Sequence, residues 1–393
     1  MTATSDPRRR HAPRPLDNER GLALVIVLAV VALLTIMVTE FTFNTQLDQH
    51  RTRNAVHALQ AQLLARSGIN LAEGFLMLDE EQKYDAYSED WFPQMVQFCQ
   101  ELQVDPTMRL RCTVRDESGK INLNNTREPR RRVESQAVTP SAVLRDAMRC
   151  MFARRGIDVE IVDKLADYWQ QEAPPREDGS PGAIPDFTSL EDFGATFRVP
   201  TEELQKLRGV LTAQPSGLLK RINVNTAPAE VLAGVLNAEA QQEGCPPNEA
   251  VQQVLERQHD PDQPFRASGD LQAIIQNLDN ANVKTGLFGV QSNLFRLEAS
   301  ALANVDPDNP DRGGIGQTVS ALVLRQISQR PKANNNGAPQ TGADGKPLPN
   351  WTLRPLDWQK EGGARLFRPT PGEDEDQPGT MDEENEPAGQ RGG

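Results

Sequence analysis

The chain has 393 residues, 37% hydrophobic and 5% aromatic, with 28 Gly, 29 Pro and a formal net charge of −13. That mix suits a loop-rich soluble body of one to three domains with tails, not a protein that crosses a membrane many times. The net negative charge, concentrated in Glu373–Asp376 and Asp382–Glu384, argues against a nucleic-acid partner, since phosphate binding needs a basic surface.

The first predicted element is the run from Leu22 to Val38, directly after Gly21. It has no charge, and its one polar residue, Thr35, can return its hydroxyl to the preceding turn. As a helix it spans roughly 25 Å, near the lower limit for a bilayer core. Arg8, Arg9, Arg10, Arg14 and Arg20 precede it, so the positive-inside rule keeps the N-terminus cytoplasmic and sends the rest outward. Three readings compete. A secretory signal peptide needs a small-x-small cleavage site, which Met37–Phe43 does not offer. A plain signal anchor fits the hydropathy. So does a prepilin-type leader, in which basic residues and a Gly stand immediately before an apolar helix that is retained after cleavage.

From Phe41 to Leu78 the helical pattern persists, with Val56, Leu59 and Leu63 at spacings of three and four. A helix from Leu22 to Leu78 would be on the order of 85 Å long. An apolar half followed by an amphipathic half fits a pilin-like stalk; an anchor joined to a coiled coil is the blander reading. His50 and His57 fall on it as exposed polar positions.

Arg109–Val114 alternates as a half-buried strand and breaks at Ser118-Gly119. Ser141 to Gln171 turns helical and is divided in two by Gly156. Thr188-Ser-Leu-Glu191 has capping-box spacing and opens another helix, followed by a short one over Glu202–Leu207. Asn225 and Thr226 offer N-cap oxygens, with Pro228 in the first turn, for a helix over Ala229–Leu236. Leu271–Leu278 is a further helix, and Leu294–Ala299 returns to strand. Beyond Gln329 the chain is Pro-, Gly- and Asn-rich and then acidic, a composition too polar to fold alone. Trp351, Leu353, Leu356, Trp358, Leu366 and Phe367 interrupt it as a candidate docking segment.

Four segments together resemble one family, the type II secretion minor pseudopilins called general secretion pathway protein K. They are the leader Glu19–Leu34, Asp116-Glu-Ser-Gly-Lys-Ile-Asn-Leu-Asn124, Ile222-Asn-Val-Asn-Thr-Ala-Pro-Ala-Glu-Val-Leu232 and Gln291–Ala299, spread over residues 19–327. The leader is common to all pilin-like proteins. The two Asn-rich segments, carrying Gly119, Lys120, Asn122 and Asn124, then Asn223, Asn225 and Thr226, are more specific.

The resemblance implies an α+β fold: a long N-terminal helix packed on a small antiparallel sheet, with a large inserted helical domain. The expected organisation is a prepilin-type leader over 1–21, a transmembrane and stalk helix over 22–78, and the first part of a pilin-like domain over 79–140. The helical insertion then covers 141–280, the second part of the pilin-like domain 281–328, and a largely disordered extension 329–393. Cleavage by a prepilin peptidase would fall between Gly21 and Leu22. Position five of the mature chain would then be Ile26, where most pilin-like proteins carry a Glu thought to pair with a neighbour's terminal amine. A carboxylate in hydrocarbon needs such a partner, and a subunit without it suits the tip of a fibre.

The implied partners are other minor pseudopilins, the major pseudopilin, the prepilin peptidase and the inner membrane. The neighbouring readings are a minor pilin of a type IV pilus, or a single-pass anchored periplasmic binding protein or hydrolase. The family's helical domain can hold calcium after an Asp-Trp pair. The matching stretch here, Asp167-Tyr-Trp-Gln-Gln-Glu172, has Gln170 where an acidic residue is expected, and Asp178 and Asp186 follow. The loop Asp306–Asp311 lacks EF-hand spacing and reads as a solvated turn.

No CxxC pair occurs among Cys99, Cys112, Cys150 and Cys245. In a periplasmic body Cys99–Cys112 is the more local disulfide option; four buried small hydrophobes is the other reading. Ile222–Ala227 also resembles part of a helix-hairpin-helix DNA module, but Asn237–Gly244 carries no basic residue to meet phosphate. There is no nucleophile elbow, phosphate loop or paired-His motif, and no catalytic residue is assigned.

Overall fold

In the computed structural model, the described residues are 16–79, 83–100, 102–128, 138–171, 182, 184–237, 246–327 and 351–362. The chain divides into two units, 1–59 and 60–393. Helix α1 (Leu16–Leu76) begins in the first. There the side chains from Leu22 to Phe43 are exposed, and Thr35 and Thr39 donate their hydroxyls to the carbonyls four residues back, at 2.8 and 2.7 Å. Those bonds let hydroxyls sit in an apolar stretch without unsatisfied donors. Among the described residues this is the one helix long and apolar enough to cross a membrane.

In the second unit the end of α1 buries Ala61, Ala65, Ile69, Ala72 and Leu76 against a sheet. Leu63, like Val56 and Leu59, stays about half exposed, so the spacing that marks the helix is not its packing face. The buried stripe is built from small residues because the approach is close. A Cβ on Gly68 would lie 2.8 Å from both Ala299 Cβ and Leu110 Cδ1.

Helix α2 (Trp91–Cys99) follows, then β1 (Leu102–Asp105) and β2 (Met108–Asp116), whose alternating burial carries out the predicted strand. The helical insertion comes next. It runs through β3 (Ile121–Asn122), a 3₁₀ turn (Leu123–Thr126), α3 (Pro140–Arg154), α4 (Glu160–Gln170), α5 (Leu190–Phe197), α6 (Thr201–Leu207) and β4 (Leu211–Thr212). It continues through β5 (Ile222–Asn223), α7 (Ala229–Leu236), α8 (Glu249–His259), α9 (Ser268–Ile275), α10 (Ala281–Leu287) and β6 (Phe288–Gly289). The chain then returns as β7 (Leu294–Asp306), β8 (Asn309–Ile327) and β9 (Trp351–Gly362). The sheet is antiparallel throughout in the order β1-β2-β7-β8-β9. The insertion has its own core, centred on Met148, Phe152, Phe193, Leu232 and Phe265.

Several boundaries differ from expectation for local reasons. The cap of α5 is Ser189, not Thr188: its hydroxyl accepts from Asp192 N at 3.1 Å, and Asp192 returns a bond to Thr188 N. The helix Ala229–Leu236 forms as predicted, but Pro228 precedes it with no side-chain cap, because Asn225 and Thr226 are engaged elsewhere. The predicted helix Leu271–Leu278 is α9, three residues earlier, where Asp270 accepts from Arg266 N and Ala267 N. Beyond 280, Leu287 of α10 and Phe288 of β6 join the same core as the preceding helices. The extension 329–393 is not wholly without structure: residues 351–362 add a fifth strand to the sheet.

Candidate functional site

The two Asn-rich segments fold in the same way. In Ile121-Asn122-Leu123-Asn124, Ile121 and Asn122 pair in parallel with Leu211 and Thr212. In Ile222-Asn223-Val224-Asn225, Ile222 and Asn223 pair in parallel with Phe288 and Gly289. In each, the first Asn turns the chain by accepting from the backbone N–H of the second, at 3.3 Å for Asn122 and 3.0 Å for Asn223. The second Asn then forms a two-bond bridge to the backbone of a single Phe. Asn124 accepts from Phe187 N and donates to Phe187 O, both at 2.9 Å; Asn225 does the same with Phe265 N and O, both at 2.9 Å. A buried carboxamide suits this because one side chain satisfies both a donor and an acceptor.

The likeness extends further. After each Phe the chain enters a helix, α5 or α9, whose first turn carries an Asp that accepts from backbone N–H groups ahead of it. The insertion is thus a tandem pair: β3, α3 to α6 and β4, then β5, α7 to α10 and β6. The sequence segments are alike in composition, but the two Phe partners lie 63 and 40 residues downstream of their Asn, so no local pattern exposes the pairing.

The segments meet at Asp116, the last residue of β2. Its carboxylate accepts from Ser118 N at 2.7 Å and from the hydroxyls of Thr226 and Ser292. Asn223 donates to Ser292 Oγ at 2.6 Å and to Asp85 O at 2.9 Å. Burial raises the Asp116 pKa, with the hydrogen bonds acting against that rise. Beside it, buried Glu117 pairs with buried Lys120 at 2.8 Å and with Arg296 at 3.0 Å. Burial alone would raise the Glu117 pKa, but Lys120 and Arg296 outweigh it and hold the group down at about 2. The Lys120 pKa is lowered by burial against the pull of Glu117.

A second buried hub carries no sequence motif. Arg325 of β8 pairs with Asp79, just past α1, and with Asp85, and it donates to Ser292 O at 2.7 Å. Asp79, Asp85 and Glu89 bring carboxylate oxygens within 4.8 Å of one another, the crowding a metal site would need. Here the guanidinium of Arg325 is the counter-cation of Asp79 and Asp85. Burial pushes the Asp85 pKa up to about 6 against the attraction of Arg325, and burial with nearby Asp79 pushes Glu89 up to about 8. Asp79, Asp85 and Arg325 are scattered over some 250 residues, and only their intolerance of unpaired burial could have signalled the hub.

The remaining predicted sites fall as follows. Gly21 and Leu22 lie within α1, and Ile26 is 55% exposed on it. Asp167 is exposed on α4, and Asp186 is held by Arg127 at 3.1 Å and by Ser216 N at 2.6 Å. Glu172 and Asp178 lie outside the described residues. Among the described residues neither Asp167 nor Asp186 belongs to a group of three or more potential metal ligands. Cys99 and Cys112 are joined by a disulfide, tying the end of α2 to β2. The loop at Asp306 is a tight turn in which Asp308 N donates to Asp306 Oδ1 at 3.0 Å. The motif residues are committed to one another and to backbone, which makes the junction a structural one.

No protein-family model matches the chain. Over 243 residues it is 29% identical to the type II secretion system protein K of Pseudomonas aeruginosa, covering 56% of this chain and 68% of that protein. Its fold is similar to a chain in the crystal structure of the GspK-GspI-GspJ complex from the type 2 secretion system of enterotoxigenic Escherichia coli. That match has a TM-score of 0.51 and 18% identity, and covers 80% of this chain and 100% of the other. In sequence the chain is similar to type II secretion system protein K, and in fold to a chain of the GspK-GspI-GspJ complex.

Proposed function

We propose that this chain is a minor pseudopilin that caps the tip of a type II secretion pseudopilus and helps to start its assembly. The observation that carries this reading is the pairing of an apolar helix directly after Gly21 with a pilin-like sheet that holds a large helical insertion. The insertion adds bulk beside the sheet, which suits an end subunit better than one stacked within a fibre. Other minor pseudopilins, such as the counterparts of those in the Escherichia coli complex, are the natural partners, with the major pseudopilin next in the fibre. The exposed stripe Val56, Leu59 and Leu63 offers helix–helix contacts to them. The role is structural rather than enzymatic.

In this reading a prepilin peptidase cuts between Gly21 and Leu22. Before assembly the helix holds the protein in the inner membrane, with the N-terminus cytoplasmic and the body periplasmic. Ile26 at position five leaves no carboxylate to pair with a preceding subunit, as a first subunit requires. Mass spectrometry of the protein purified from membranes tests the scheme. A chain beginning at Leu22, and failure of Gly21→Arg to be processed, are expected; an intact leader overturns it. Ile26→Glu should impair tip placement, read as reduced secretion and altered co-purification of partners, and unchanged results in both would remove the argument from position five.

A further inference from the structure

The last strand is held differently from the others. Strand β8 buries Val319, Ala321 and Val323 in the sheet core, and its register with β7 runs from Leu324 to Asn309. Its other edge, Gln317 to Ile327, is covered by β9. Of the described β9 side chains, Thr352, Arg354, Pro355 and Leu356 are exposed, and only Leu353 packs on the core. The register breaks between Leu322 and Val323, whose partners are Asp357 and Pro355, so Leu356 is left over as a bulge. Pro355 also has no N–H to give. Over residues 352–356, where the side chains are described, β9 is therefore held largely by main-chain pairing.

The connection is unusual too. Antiparallel neighbours are commonly joined by about 2–5 residues, whereas residues 328–350 separate β8 from β9. Such a length reaches up to roughly 75 Å when extended, far enough for β9 to leave without disturbing β8. An open edge of this length invites pairing with another chain.

We propose that the outer edge of β8 is a strand-binding site, that β9 is its ligand within the chain, and that β9 exchanges with the same strand of a second copy. A second copy is the fitting partner because residues 351–362 already match this edge in register and bulge, with Leu353 as an apolar anchor among the described side chains. The secretion reading is not needed for this proposal.

Gln326 and Thr352 are exposed partners across the two strands, so a cysteine at each reports their pairing. With both on one full-length chain, a disulfide within the chain is expected. With Gln326→Cys on one tagged copy and Thr352→Cys on a differently tagged copy, a mixed dimer is expected on co-expression. Its yield should rise several-fold when the Gln326→Cys copy ends at residue 327, since its edge is then open. Absence of the mixed dimer from both the full-length and the shortened pairings overturns the proposal. The full-length pair keeps the test valid should the shortened chain fail to fold. Cross-linking of Gln326→Cys to Leu356→Cys as readily as to Thr352→Cys would overturn it as well, because register would then play no part.

Discussion

A Cβ on Gly119 would stand 2.6 Å from the carbonyl oxygen of Thr226, so the two Asn-rich segments meet backbone to backbone. Only glycine allows that approach. Gly119→Ala must push the segments apart at the point where the sheet passes into the insertion, costing about 1–3 kcal/mol, as overpacking a tight interior does. Gly209 is a fitting control, because a Cβ added there would have open space for 4 Å around it. Thermal unfolding of the full chain in detergent should show a lowered Tm for Gly119→Ala and a change within about 0.5 kcal/mol for Gly209→Ala. Equal midpoints for the two variants would show that the junction has more room than the structure gives it.

The tandem arrangement makes Asn124 and Asn225 equivalent. Replacing either by Ala leaves the N–H and C=O of Phe187 or Phe265 buried without their partner. Leaving such groups unpaired costs about 1–3 kcal/mol each. Asn→Asp should be no better, because a carboxylate cannot donate to the Phe carbonyl. Both Ala variants are expected to lower Tm by similar amounts, and a silent Asn225→Ala would break the equivalence of the two halves.

How much of this is readable in sequence depends on the range of the interactions. Helix α1, strand β2 and helices α3 to α7 rest on local periodicity and Gly or Pro punctuation, and their predicted spans lie close to the structure. Caps differ from expectation where a tertiary contact takes the capping group, as at Thr226, whose hydroxyl goes to Asp116. Helix α8 buries only Val251 and Val254, too narrow a stripe to stand out. The motif asparagines stand out by resemblance, but their task is not visible in sequence, because each Phe partner is set by the fold. The Arg325 hub escapes a sequence reading for the same reason, since it joins distant segments of the chain; the apolar residues from Trp351 mark a docking segment, but not that it pairs with β8 as a strand.

Buried Glu117 and half-buried Glu89 should give opposite pH dependences. Glu117 is held at about 2 against an ordinary 4.5, so it contributes stability above pH 4.5 that is lost as pH falls through about 2. Its shift alone corresponds to about 3 kcal/mol, from which the lowering of the Lys120 pKa subtracts. Glu89 is raised to about 8, so the folded state holds a proton that the unfolded state releases, and stability declines as pH rises from 4.5 through 8. Glu89→Gln, which mimics the protonated acid, should gain on the parent protein across that window and level off above it. Denaturant unfolding at a series of pH values checks this; a constant difference between the two proteins would mean that Glu89 is ionised at neutral pH.

The same double logic applies to the buried pair itself. Glu117→Gln leaves Lys120 charged without its anion, and Lys120→Met leaves Glu117 with only Arg296. Breaking one side of a buried pair costs about 3–5 kcal/mol, whereas removing both charges costs much less. The double variant Glu117→Gln with Lys120→Met should therefore be more stable than the sum of the single changes, which a double-mutant cycle measures. Additive effects would show that the two side chains do not depend on each other.

The Cys99–Cys112 disulfide joins α2 to β2 beside the face that receives α1, with both cysteines buried and a sequence separation of 13. Closing a loop of that size in the unfolded chain accounts for about 3 kcal/mol of stability. Because both sulfurs are shielded, mild reductant should act slowly on the native protein and quickly once it is partly unfolded. Cys99→Ala and Cys112→Ala should each lower Tm, and the double variant should add little beyond either, since the bond is already lost in each single change. Mass spectrometry after alkylation of the native and denatured protein distinguishes the bonded pair from free thiols. Full labelling of Cys99 and Cys112 without reductant would remove the cross-link from this account, and α2 would then be held by packing, chiefly of Trp91, Phe92 and Met95.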